Sequence, residues 1–141
     1  MKPQELSIGN IVEVNHYEYG DMFASVTSIN DVGDLCLHLL DERFTKEEYE
    51  CTMNEVTPIP ITEELLEKCG FERNNDMPPY ILDLDKGRRV YMFKNTYGWI
   101  LQYVRYGVGY DETVSKNIVM FVHQMQNAYY LVTGKELEIK A

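Results

Sequence analysis

The sequence predicts an α+β fold, with a small β unit followed by a mixed unit of strands and helices. Several short segments rich in β-branched residues, separated by turn signals, lie within residues 1–60. The segment Pro58-Ile59-Pro60 then favours extended backbone and marks a boundary. Near the end, the eighteen residues 117–134 contain no Asp, Glu, Lys or Arg, which indicates a helix covered by protein.

The first unit is predicted to span 1–58 as an SH3-like small β-barrel. Strands are expected to begin at Ile11, Phe23 and Leu35, with turns at Gly9-Asn10 and residues 30–34. The charged segment Arg43–Glu50 predicts a helical turn. Met53–Thr57 predicts a fourth strand ahead of the prolines. Short strands at this spacing are typical of small barrels.

The second unit is predicted to span 61–141 as a helix, a three-stranded antiparallel meander and a C-terminal helix. Thr62 is a suitable N-cap for the first helix, and Gly70 is suited to end it. The meander strands are expected at residues 80–84, 88–94 and 99–106, with a hairpin turn at Asp85-Lys86-Gly87. One compact domain formed by both units is the alternative organisation.

The charge-free segment predicts the last helix, from an N-cap at Ser115 to Gly134, followed by a terminal strand at Glu136–Ile139. Helical spacing predicts a buried face that includes Ile118, Val122, Met125 and Tyr129. The opposite face is predicted to bind a protein partner or a second copy of the chain through Val119, Met120, His123, Asn127, Tyr130 and Leu131. The alternative is that the N-terminal unit covers this face.

An aromatic and basic segment offers a second hypothesis from a different functional class. Aromatic rings interleaved with arginine on a sheet can bind a small ligand or stack the bases of a single-stranded nucleic acid. The residues for such a face are Arg88, Arg89, Tyr91, Trp99 and Tyr103. The alternative is that the rings fill a core while the basic groups face water.

Charge and composition argue against several functional classes. The formal net charge is −10, with −11 in residues 1–70 and +1 in residues 71–141, which disfavours general nucleic-acid binding. The sequence shows neither a signal peptide nor a membrane span, so we expect a cytoplasmic protein. The three cysteines lack C-x-x-C spacing and are expected to be reduced.

Catalytic and metal-binding motifs are not found. His16, His38 and His123 do not form a zinc-binding pattern, so no metal or cofactor is expected. Asp83 and Asp85 could in principle hold a cation or act as a hydrolase pair, but they flank an ordinary turn. We therefore expect a protein that is not an enzyme.

Three segments resemble a group of small proteins of unknown function encoded by gut Bacteroidetes, their phages and mobile elements. The matching residues are 6–10 (LSIGN), 58–66 with 69–71 (PIPITEELL and CGF), and 122–127 with 129–130 and 133–137 (VHQMQN, YY and TGKEL). Together they cover about a fifth of the chain. The resemblance implies an accessory protein of a phage or mobile element.

Overall fold

The computed structural model describes residues 6–16, 18, 20–41, 48–84, 86–107 and 110–139. Over these ranges the protein is α+β and mostly strand, with two five-stranded sheets and two helices. The chain divides into two compact units. The first contains Met1–Pro60 and Phe121–Asn127, and the second contains Ile61–Met120 and Ala128–Ala141. The predicted ranges 1–58 and 61–141 do not include the return of Phe121–Asn127 to the first unit.

The first unit is built on a curled antiparallel sheet. Its strands are β1 (Ile11–His16), β2 (Gly20–Ile29), β3 (Asp34–Leu39), β4 (Glu48–Thr52) and β5 (Val56–Thr57), in the spatial order β4-β3-β2-β1-β5. Alternate side chains on each strand point to one face, as the two-residue period requires. That face forms a core that includes Val12, Val14, Val26, Leu35, Leu37 and Leu39.

Two sequence-based assignments in this unit are wrong. Met53–Glu55 form a 3-10 turn, so only Val56–Thr57 of the predicted fourth strand are extended. Within the predicted helical turn, Glu48–Glu50 are part of β4 and pair with β3, while residues 43–47 lie outside the described ranges. The local charge pattern favours a helical turn, but pairing with β3 makes this segment a strand. That non-local pairing places Cys51 opposite Leu35, where Cys51 is buried.

The second unit contains the other sheet and most of the helical residues. Its elements are α1 (Glu63–Lys68), β6 (Glu72–Arg73), β7 (Tyr80–Asp83), β8 (Arg88–Lys94), β9 (Trp99–Gly107) and β10 (Tyr110–Val119), followed by α2 (Val122–Thr133), whose first six residues belong to the first unit. The antiparallel strand order is β10-β9-β8-β7-β6. The predicted three-stranded meander therefore corresponds to β7, β8 and β9.

Helix α1 follows its local sequence signals closely. The Thr62 hydroxyl accepts a hydrogen bond from the Leu65 amide at 3.2 Å, as predicted for an N-cap. Gly70 ends the helix with φ of +92°, a left-handed conformation that favours glycine. The predicted hairpin turn between β7 and β8 contains positive φ at Lys86 and Gly87.

The start of the last helix was predicted in the wrong place. Helix α2 begins at Val122, whereas Ser115, the predicted N-cap, lies within strand β10. Ile118 is also on this strand and is 59% exposed, so its predicted burial on the helix is wrong. Val122, Met125 and Tyr129 are buried. Residues 136–139 are not a strand, although the helix does end at Gly134, whose φ is +72°.

Candidate protein-binding surface

The sheet of the second unit has two different faces. Helix α1 and the glycine that ends it lie near one side of this sheet. Burial raises the pKa of Tyr80, and the nearby carboxylate of Glu63 in α1 adds to that rise. A Cβ atom placed on Gly70 would lie 3.5 Å from Leu82 Cδ1. Tyr80 and Leu82 point to the same side of β7, which we call the helix face. The opposite side, which we call the open face, is exposed to solvent along β10 at Thr113, Lys116 and Ile118. Tyr91, Ile100 and Val104 on the same side are buried.

One end of the open face is apolar. Phe93, Ile100 and Ile118 are direct register partners across β8, β9 and β10, so their side chains form one row. Phe93 is half-buried and Ile100 is buried beside it. Ile118 is therefore an exposed apolar side chain at the β10 end of an otherwise packed apolar row.

Two more apolar side chains lie at the end of this row, around Gly98. A Cβ atom on Gly98 would be 3.3 Å from Met120 Cγ and 3.8 Å from Ile118 Cγ2, so both side chains cover this glycine. Tyr97 precedes it in the turn between β8 and β9 and is 76% exposed. Met120 is 52% exposed. Tyr97, Ile118 and Met120 form what we call the apolar corner.

The predicted partner surface on the last helix is only partly accessible. Val119 and His123 are 2% and 1% exposed, so the prediction that they lie on an outer face is wrong. Val119 pairs with the buried Trp99 at the end of β10, and His123 stacks on Phe121 with ring centroids 6.0 Å apart. Met120, Tyr130 and Leu131 are exposed.

Asn127, also predicted to bind a partner, has a structural role in the first unit. Its Oδ1 accepts a hydrogen bond from Asn10 Nδ2 at 2.8 Å. Next to it, Gln126 Oε1 accepts from the Ile11 amide at 2.8 Å, and Gln126 Nε2 donates to the Gly9 carbonyl at 3.2 Å. We call this arrangement the amide clamp, because it joins the start of α2 to the start of β1 and accounts for two polar residues in the charge-free segment.

The aromatic and basic residues do not form one ligand face. Arg89 and Tyr91 lie on the open face, whereas Arg88, Trp99 and Tyr103 lie on the helix face, because neighbouring residues of a strand point to opposite sides. The structure also buries Tyr91, Trp99 and Tyr103. The rings that were expected to stack with a ligand are therefore part of the packed sheet.

The basic groups are also engaged within the protein. Arg89 forms an ion pair with Asp83 and lies 4.1 Å from the Tyr106 ring centroid, and Lys94 lies over Trp99. The hydrogen bond that the Arg89 guanidinium donates to the Asp83 carboxylate raises the pKa of Arg89. Asp83 is thus an ion-pair partner, while its predicted companion Asp85 lies outside the described residues.

A cleft of about 420 Å³ opens in the first unit between the β2–β3 turn and β4, and Cys51 and Glu55 are among its lining residues. Burial, reinforced by Glu55, raises the pKa of the Cys51 thiol to about 11. A protonated thiol is a poor nucleophile, so the cleft lacks an activated cysteine at this position. In the described ranges, no group of three or more His, Cys, Asp and Glu side chains could hold a metal ion.

Comparison with known proteins identifies no relative: no protein-family model, no curated protein and no solved structure matches the chain. Within the described part of the chain, neither helix has the length and apolar character needed to cross a membrane.

Proposed function

We propose that this protein is a non-enzymatic accessory protein that acts by binding another protein through the apolar corner. The observation that carries the proposal is the exposure of Tyr97, Ile118 and Met120 around one glycine. By typical side-chain areas they present on the order of 300 Å² of surface together, which approaches the size of patches that are often functional on monomers. The association with a phage or mobile element is proposed from the sequence resemblance.

The composition of the corner supports protein binding over ligand binding. Tyrosine and methionine are enriched in the centres of protein interfaces, where charged residues are depleted. The next row of the open face places Lys116 and Gln102 side by side, which resembles the polar rim of an interface. The alternative, a binder of a small ligand or single-stranded nucleic acid, has less support because its rings are buried on two different faces.

The distribution of charge also favours the second unit as the contact surface. The first unit carries twelve acidic and three basic residues, for a net charge of −9. The second carries eleven acidic and ten basic residues, for a net charge of −1. A contact through the second unit avoids the like-charge repulsion that another acidic protein, including a second copy, would meet at the first.

For the first unit we propose an SH3-like barrel as the finer architecture. Four consecutive antiparallel strands, a 3-10 turn at Met53–Glu55, and the return of β5 to pair with β1 support this proposal.

The test compares Met120→Glu with Val32→Glu. Val32 is 81% exposed in a turn of the first unit, so both variants place a carboxylate at an exposed apolar site. Light scattering measures self-association, and affinity capture from element-carrying host cells measures partners. We expect Met120→Glu to lose the dimer or the captured partner while Val32→Glu retains it. A monomeric wild type that captures the same proteins as Met120→Glu would refute the proposal.

A further inference from the structure

Strand β10 is a long strand at the edge of the second sheet. It contains ten residues, and in the described part of the chain it pairs only with β9. The edge strands β5 and β6 contain two residues each, and β4 contains five. An edge strand presents a row of backbone amides and carbonyls to which another strand can bond, and short length is one protection against this pairing. β10 is therefore the edge best able to accept a long partner strand.

The side chains of β10 indicate that little covers this edge. Glu112, on the helix face, is exposed, and so are Thr113 and Lys116 on the open face. Val114, the extra residue at a bulge between Thr113 and Ser115, is 48% exposed. Exposure on both faces of one strand is expected where its outer edge is open to solvent.

Two backbone contacts at the end of β10 show which residues face outward. The Val119 carbonyl lies 3.4 Å from the Cβ position of Gly98, so it points toward the β8–β9 turn. The Met120 carbonyl instead accepts a hydrogen bond from the Ile61 amide at 3.4 Å. Backbone groups of successive residues in an antiparallel strand point to alternate sides. From Ser115 to Val119, the odd-numbered residues therefore face β9 and the even-numbered residues face outward.

The outward residues on the two sides of the bulge are related by a two-fold axis. They are Lys116 and Ile118 after the bulge. The bulge inserts one residue, so before it the outward backbone groups are those of Thr113 and Asp111. An axis through the bulge, perpendicular to the sheet, brings Thr113 opposite Lys116 and Asp111 opposite Ile118. Each outward residue of one copy thus meets an outward residue of the other.

We propose that two copies of this chain pair antiparallel through β10 and join their second sheets into one continuous sheet. The outward pairs, each present twice, supply about eight backbone hydrogen bonds. The same register places Glu112 opposite Asn117 on the helix face, so like charges do not meet across the two strands. The net charge of −1 on the second unit also limits repulsion between the copies.

This interface is separate from the apolar corner. In the proposed register the two Ile118 side chains lie at opposite ends of the paired strands, roughly 20–25 Å apart on the same face of the joined sheet. Both corners stay exposed, so the dimer presents two of them to partners. The inference does not depend on the proposed function.

Light scattering of the full chain over a dilution series measures the Kd of the dimer, which we expect to be about 10 µM or tighter. Thr113→Lys places a lysine opposite Lys116 of the second copy at two symmetric positions, so it should weaken dimerisation several-fold. Thr113→Glu places an opposite charge there and should strengthen dimerisation by a similar factor.

The general effect of charge has the opposite sign, which makes this comparison specific to the register. An added lysine reduces the net charge of −10 and an added glutamate increases it, so repulsion between copies falls in the first case and rises in the second. Val32→Lys and Val32→Glu measure this general effect, because Val32 is an exposed turn residue of the first unit.

Thr113→Pro tests the backbone pairing directly. Proline removes an amide that faces away from β9, so the variant should lose the dimer and keep the circular dichroism of the wild type. Amide hydrogen exchange gives a second measurement. The amides of Lys116 and Ile118 should exchange more slowly as protein concentration rises, whereas the Asn117 amide, which faces β9, should not respond.

Three results would overturn the inference. A wild type that stays monomeric up to about 100 µM would mean that Lys116 and the bulge protect the edge. Thr113 variants that follow the Val32 controls in sign would show that Thr113 does not face Lys116. A dimer dissociated by Met120→Glu and retained by Thr113→Pro would show association through the apolar corner, which leaves the proposed function standing. A dimer retained by Met120→Glu with unchanged captured partners, and lost in Thr113→Pro, would support this interface and refute the proposed function.

Discussion

The amide clamp gives a quantitative prediction about stability. Gln126→Ala removes an acceptor for the Ile11 amide and a donor to the Gly9 carbonyl. Gln126 is buried, so water replaces these bonds poorly, and each backbone group left without a partner costs roughly 1–2 kcal/mol. The expected loss is about 2–4 kcal/mol, a large share of the roughly 5–15 kcal/mol that stabilises an ordinary domain.

Equilibrium unfolding in urea measures this loss, with far-UV circular dichroism followed beside the fluorescence of the single tryptophan, Trp99. Gln126→Met keeps a side chain of similar size but cannot form either hydrogen bond, so we expect it to lose nearly as much stability as Gln126→Ala. Gln102→Ala is the matched control, because Gln102 makes one exposed hydrogen bond, to the Thr113 hydroxyl at 2.7 Å. It should cost about 1 kcal/mol or less.

Two results would refute the reasoning. A loss of less than about 0.5 kcal/mol in Gln126→Ala would show that the clamp contributes little, since this is the range of ordinary surface substitutions. Equal losses in Gln126→Ala and Gln102→Ala would show that burial of the clamp does not increase its contribution.

Three further predictions concern the core, the thiols and the surface ion pair. Met125→Ala should cost about 2–5 kcal/mol in urea unfolding, because Met125 is fully buried, and a loss below about 0.5 kcal/mol would contradict that packing. Burial raises the pKa of Cys51 to about 11, whereas an unfolded thiol ionises near pH 8.5, so the stability due to this thiol should be lost as pH rises through this interval. Unfolding at stepwise pH should show a shallower decline in Cys51→Ala than in the wild type, and identical declines would contradict the assignment. Asp83→Asn should change the unfolding free energy by about 1 kcal/mol or less, because its ion pair is largely exposed, and a loss above about 2 kcal/mol would contradict that description.

The elements that the sequence predicts well are those whose signals are local. Helix α1 has its N-cap at Thr62 and its terminating glycine at Gly70, and both act within a few residues of the helix. The hairpin turn before Gly87 depends on positive φ at adjacent residues, which the local sequence also indicates. Such features need no knowledge of the rest of the chain.

Strand β10 could not be predicted in this way, because its conformation depends on pairing with β9. The segment after Ser115 has apolar residues at spacings that suit a helix, yet Ile118 pairs with Ile100 and Val119 pairs with Trp99. Once Val119 is on a strand, its side chain and that of Ile118 point to opposite faces. This explains why one of these neighbours is buried and the other is exposed.

The same limitation applies to the candidate sites. Tyr97 was not predicted as a binding residue, because the packing of Met120 against Gly98, the next residue in the turn, depends on the end of β10 lying beside that turn. Met120, Tyr130 and Leu131 were correctly expected to be exposed. Tyr130 and Leu131 lie on a side of α2 that lacks core spacing, whereas Met120 precedes the helix.

The return of Phe121–Asn127 to the first unit has a consequence for synthesis on the ribosome. Residues 1–60 emerge first, but the segment that bonds to Gly9 and Ile11 is complete only 67 residues after Pro60. At about 5–20 residues per second, the nascent first unit waits roughly 3–13 seconds for its last segment. During that interval the edge formed by Gly9–Ile11 is accessible to chaperones or to another nascent chain.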